Sequence, residues 1–152
     1  PSKINTIEYI QFSTTGNATD FGDLSDTSSA GSACSNAVRA IYHHGSATAD
    51  NGSNVLEYLT IATLGNAADF GDLTTGRNSS AACSSPTRGV FAGGGNPSPS
   101  PTTNENTLDY VQIMSTGNAI NFGDTDRTTG TGGNANEAGK MCGVSNGHGG
   151  LG

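Results

Sequence analysis

A short phrase of apolar and polar positions is written three times along this chain. Ile7-Glu8-Tyr9-Ile10-Gln11-Phe12 is matched by Leu56-Glu57-Tyr58-Leu59-Thr60-Ile61 and by Leu108-Asp109-Tyr110-Val111-Gln112-Ile113. In each copy an aliphatic residue and a tyrosine share one face, and two further apolar residues share the other. β-Branched and aromatic residues in this arrangement predict a strand buried largely on both sides. Each predicted strand runs into Gly-Asn-Ala (16–18, 65–67 and 117–119), a turn in which Gly or Asn tolerates positive φ.

The chain then enters Asp20-Phe21-Gly22-Asp23-Leu24, Asp69-Phe70-Gly71-Asp72-Leu73 and Asn121-Phe122-Gly123-Asp124-Thr125. Here one aromatic is the expected anchor, and Gly permits close packing or a bulge. A polar stretch leads to short predicted strands at Ala33-Cys34 and Ala82-Cys83, followed by strands at 37–42 and 86–91. Arg39 and Arg88 hold the same position after their cysteines. The pattern amounts to about four short strands per roughly 50 residues, an interval typical of repeat architectures. No segment sustains a helical period. A unit of this kind cannot bury its apolar face alone and must stack on copies of itself.

The expected fold class is therefore all-β, with three four-stranded repeats in one domain spanning residues 1–152. The copies run over 5–53, 54–105 and 106–152, the last one incomplete. The chain opens on Pro1 with the repeat already running by Asn5, so a piece of a longer chain is expected. Open strand edges on so few repeats invite pairing with further chain or with partner subunits. Assembly rather than an isolated monomer is the expectation.

Composition narrows the function classes. Hydrophobic residues are 32% and charged residues 12%, which suits thin β layers joined by polar loops rather than a large helical core. A net charge of −7 with six scattered basic residues argues against nucleic acid, because phosphate neutralisation needs clustered Lys and Arg. No stretch approaches the roughly 20 apolar residues of a membrane-spanning helix, so membrane insertion is not expected. Cys34, Cys83 and Cys142 fall once per copy, which fits small buried strand residues better than a disulfide framework.

The order of an aromatic-Gly-Gly strand end, a loop, a Glu-Tyr strand and a later aromatic resembles the kelch motif. It is carried best by Arg88-Gly-Val-Phe-Ala-Gly-Gly-Gly95, Leu108-Asp109-Tyr110 and Phe122-Gly123-Asp124, with Phe where kelch repeats usually have Trp. The first copy departs further, with one Gly in Ile41-Tyr42-His43-His44-Gly45. The wording of the repeats is also similar to virion proteins of marine tailed phages, especially phages of cyanobacteria. The kelch resemblance implies β-propeller blades. The phage resemblance implies a virion component at the particle surface, outside the cell, in contact with other virion subunits, copies of itself or a host glycan.

Candidate chemistry is sparse. Asp20, Asp23, Asp69 and Asp72 are weak candidates for Ca²⁺ ligation through oxygen. The competing expectation is that they cap turns by accepting backbone N–H groups. His43 and His44 are adjacent, so on a strand they point to opposite faces and make a poor joint metal site; the expectation for them is a loop or surface position. Asp-Phe-Gly occurs twice without the other elements of a kinase. No catalytic residue and no cofactor are predicted. A carbohydrate-binding or carbohydrate-cleaving propeller and an extracellular bacterial fibril subunit are the alternative readings. Specificity is expected in the unrepeated loops at 47–53, 94–107 and 128–138.

Overall fold

The computed structural model describes residues 2–47, 52–97, 103–126 and 142–145. The described residues are all-β, with no helix. In chain order the strands are β1 (Ile4–Tyr9), β2 (Thr19–Ser29), β3 (Ser32–Ser35), β4 (Arg39–His43), β5 (Ser46–Ala47), β6 (Ser53–Thr60) and β7 (Ala68–Arg77). They continue with β8 (Ala81–Ser84), β9 (Arg88–Ala92), β10 (Gly95–Asn96), β11 (Thr103–Asn104), β12 (Thr107–Gln112) and β13 (Ile120–Asp124). The predicted Glu-Tyr strands are β1, β6 and β12, and the Phe-Gly-Asp segments lie in β2, β7 and β13; β1 ends at Tyr9 and leaves Ile10 and Phe12 exposed, so the expected burial on both faces is corrected there.

Two antiparallel sheets of four strands form the body, ordered β3-β4-β6-β7 and β8-β9-β12-β13. Each takes two strands from one sequence copy and two from the next, because the cysteine strand and its neighbour pair onto the following Glu-Tyr strand. The registers repeat. Ile41 lies opposite Tyr58 in the first sheet, and Val90 lies opposite Tyr110 in the second. At the N-terminal end, β1, β2 and β5 form a three-stranded sheet. Register slips fall at the same place in all three Glu-Tyr strands, after Ile7, Leu56 and Leu108. These irregularities face the Gly of Phe-Gly-Asp, where a bulge was expected.

The core lies between the two four-stranded sheets. Cys34, Ile41, Leu56, Phe70 and Leu73 come from the first, and Phe91, Val111 and Ile113 from the second, with Ala119 beside them. Cys34 Sγ occupies the space over Gly89, where a Cβ would approach it to 2.6 Å. Cys83 is only half-buried, and Cys142 is exposed and outside any strand. The expectation of one buried strand cysteine per copy therefore holds for Cys34 and is corrected for Cys142. The reason is that Cys34 alone among the three is covered by a complete following sheet.

Of the unrepeated loops, 128–138 lies outside the described residues. The ends of the loop after Gly94 are tied down as a small hairpin, β10 with β11, and Gly95 pairs with Asn78 at the end of β7.

Candidate functional site

The joint between successive copies is where the recurring residues converge. Phe21 and Asp23 turn their carbonyls toward the next copy's turn, accepting from Gly65 N–H at 2.9 Å and Ala67 N–H at 2.8 Å. Asn66 Oδ1 completes the set by accepting from Asp23 N–H at 3.1 Å. The same three bonds recur one copy later. Gly117 N–H donates to Phe70 O and Ala119 N–H to Asp72 O, both at 2.7 Å, while Asn118 Oδ1 accepts from Asp72 N–H at 3.1 Å.

The shape of this joint depends on glycine. Gly22 and Gly71 have φ of 149° and 139°, a region L side chains rarely enter. A Cβ on Gly22 would also stand 2.5 Å from the Gly65 carbonyl carbon, and one on Gly71 2.5 Å from that of Gly117. The Gly-Asn-Ala segment takes positive φ at its Gly, 146° at Gly65 and 149° at Gly117, as the sequence suggests. Its Asn side chain in addition reaches across and caps the preceding copy's strand.

Beside the backbone joint lies a buried charge. The acid of the Glu-Tyr strand points back at the preceding copy in both joints. Glu57 accepts Ser25 N–H at 3.2 and 3.3 Å through its two oxygens, and Asp109 accepts Thr74 N–H at 3.3 Å and Thr74 Oγ1–H at 2.7 Å. Each acid has a basic partner, but a different one. His44 Nε2–H donates to Glu57 Oε2 at 2.6 Å, whereas Arg77 Nη2–H donates to Asp109 Oδ2 at 2.7 Å. The exchange is sterically complementary. Aligned on their cysteines, Ser28 stands where Arg77 does, and Gly93 stands where His44 does. A large basic side chain at one position goes with a small residue at the other.

Burial alone would raise the Glu57 carboxyl pKa; the bonds from His44 and Ser25 outweigh it and hold the group below its ordinary value. Burial pulls the Arg77 guanidinium pKa down, and Asp109 opposes that pull. Arg77 Nε and Nη1 have no hydrogen-bond partner among the described residues.

The histidines correct the sequence reading. His43 and His44 are buried rather than on a loop or the surface. They do point opposite ways, as expected for adjacent residues. His43 Nε2–H donates to Ser53 O at 2.8 Å, so its Nδ1 accepts from Ser80 Oγ at 2.9 Å, and its ring meets Phe91 edge-on. Burial lowers its pKa to about 4, which keeps it neutral. The physical reason for the correction is that the end of β4 lies between copies: His43 faces Ser80 and Phe91, while the residue after the strand, His44, is held by Ser28 of β2 and by Glu57. Burial likewise pushes the Cys34 thiol up to about 12, with nearby Cys83 adding to the shift.

The other recurring residues are packing elements. Tyr9, Tyr58 and Tyr110 meet Phe21, Phe70 and Phe122 in edge-on pairs with centroids 6.1, 6.1 and 5.9 Å apart. Arg39 and Arg88 lie over the Tyr58 and Tyr110 rings at 4.4 and 4.9 Å, a cation–π contact.

Asp20, Asp23, Asp69 and Asp72 sit within β2 and β7, not at turns as the capping expectation had it. Asp20 and Asp69 are exposed, and no group of three or more metal-ligating side chains occurs among the described residues. The buried partners of Glu57 and Asp109 were missed by sequence reasoning. The available signal was an acid at the same point of every Glu-Tyr strand, flanked by apolar residues. No protein-family model matches this chain, and no curated protein matches it.

Proposed function

We propose that this chain is a structural component of a tailed-phage virion, a tail fibre or capsid-decoration element built from kelch-like blades. About three such blades are read across residues 1–152, completed by further chain or partner subunits. It presents polar loops to the host surface and carries out no catalysis. The observation that supports this reading best is where the recurring residues go. Phe-Gly-Asp, Gly-Asn-Ala, the strand acid and the Tyr–Phe pair all serve the joint between copies. The copies differ most in sequence after β4 and β9, and varying loops on a strand scaffold suit binding. The four-stranded meanders, stacked face to face, support the blade reading.

Immunogold labelling with antibodies against the chain tests the proposal on particles from the source material. Label on fibres or capsids of tailed particles is the expected result. Label confined to free bacterial filaments would favour a fibril subunit instead, and binding on a glycan array with host polysaccharide cleavage would favour a carbohydrate-active propeller.

A further inference from the structure

The two joints inside the chain define what each end of the stack can accept. At the C-terminal joint no described residue covers the acceptor edge. Gly123 has φ of 144°, matching Gly22 and Gly71, yet no described residue stands within 4 Å of a Cβ built on it. Phe122 is 56% exposed where its counterpart Phe70 is 2% exposed. Leu108 and Val90 on the same face are half-exposed, while their counterparts Leu56 and Ile41 are buried.

At the N-terminal end the matching donor surface is uncovered by any described residue. Ala18 of the 16–18 turn is exposed, whereas its counterparts Ala67 and Ala119 inside the two joints are half-buried and buried. Phe12 is 99% exposed, whereas Ile113, the residue at its position in the third copy, is 0% exposed within the core. Ile10 is exposed where Val111 is buried. β1 pairs only with β2, so the edge that β6 gives to β4 and β12 gives to β9 is unpaired among the described residues.

The stack has moreover begun its next layer. Ser84 Oγ–H donates to Ser35 O at 2.7 Å, and Ser145 Oγ–H donates to Ser84 O at 2.5 Å in the same manner. Residues 142–145 thus lie against β8. Among the described residues this new layer has no outer strand pair, and β1–β2 is an outer strand pair with no inner strands.

We propose that the Phe122-Gly123-Asp124 edge and the exposed face of β12 bind the β1–β2 hairpin of a second copy of this chain, head to tail. Gly16 and Ala18 of the incoming copy donate to Phe122 O and Asp124 O, and Asn17 Oδ1 accepts from Asp124 N–H. Phe12 and Ile10 cover the face occupied by Leu108, Tyr110 and Phe122. Each chain carries one socket and one plug, so the contact is heterologous and propagates. The inference rests on the stacking part of the proposed function and not on its virion part. Association of the pure chain therefore tests it separately from particle labelling.

The test is sedimentation velocity over a concentration series with wild type, Phe12→Asp and Phe122→Asp. Both substituted residues are exposed in the single chain, so each variant folds, which circular dichroism verifies. Wild type is expected to grow into oligomers with concentration, and each variant alone to lose affinity by about tenfold or more, as for an aromatic anchor in an interface. An equimolar mixture of the two variants still holds one intact plug and one intact socket, so it forms a dimer and stops there. A monomeric wild type at every concentration overturns the proposal and assigns the face to another chain or to further repeats. Variants that associate like wild type, or a mixture that fails to pair, overturn it equally.

Discussion

Arg77 Nη2 lies 2.7 Å from Asp109 Oδ2, with neither side chain reached by solvent. The pair bridges two sequence copies, since Arg77 closes β7 and Asp109 lies in β12 of the following copy. Removing one partner strands the other as a buried charge. Asp109→Ala is therefore expected to destabilise the fold by about 3–5 kcal/mol. The double variant Arg77→Met/Asp109→Leu should recover much of that loss, because an apolar pair leaves no orphaned charge. Urea unfolding of the three proteins measures both effects.

Acid should weaken the fold through His43 and Glu57 together. The folded His43 pKa is lowered from 6.5 to about 4, so between those values the unfolded chain binds a proton that the folded chain refuses. Stability from this residue is thus complete above about 6.5 and falls as the pH drops toward 4, by about 3 kcal/mol. Glu57, whose pKa is also lowered, contributes stability above its unfolded value that is lost as pH falls through the folded one. Thermal unfolding at pH 7 and pH 4.5 should show the drop, and His43→Asn should flatten the part above pH 4.5.

Cys34 and Cys142 should differ sharply in reactivity. A buried thiol with its pKa pushed up to about 12 offers almost no thiolate at pH 8, whereas Cys142 is exposed. Thiol-specific reagent counted by mass spectrometry is expected to modify Cys142 first and Cys34 only on unfolding.

Gly71 and Gly123 share a backbone conformation but not surroundings. Alanine strains both alike, but at Gly71 it also drives into the Gly117 peptide. Gly71→Ala should therefore cost more than Gly123→Ala by about 1–3 kcal/mol, the range for overpacking a filled site. Denaturant midpoints, taken at concentrations where the chain is monomeric, give the comparison.

Much of this arrangement was legible in the repeated phrase. Strand positions follow from the alternation around Tyr9, Tyr58 and Tyr110, and the close approach at Gly22 and Gly71 follows from glycine at a fixed place after each aromatic. The layer boundary was less accessible. Which strands share a sheet depends on long-range pairing, and Cys34 joins Tyr58 of the next copy rather than Tyr9 of its own. The burial of His43 and His44 was hidden for a related reason. Their counterparts Ala92 and Gly93 suggest local variation, and only the small Ser28, at the place Arg77 holds one copy later, explains why the His44 imidazole fits. Asn66 and Asn118 carry no sequence mark that separates a turn-former from a cross-copy acceptor.

Amide hydrogen exchange on dilute, monomeric protein tests the joint between copies most directly. Gly65, Ala67, Gly117 and Ala119 donate across the two joints, whereas Gly16 and Ala18 hold the same positions in an exposed turn with no partner among the described residues. The account predicts that the first four amides are protected and that Gly16 and Ala18 exchange at nearly the free rate. Equal, fast exchange at all six would contradict it, because the copies would then be joined by something other than the phrase they repeat.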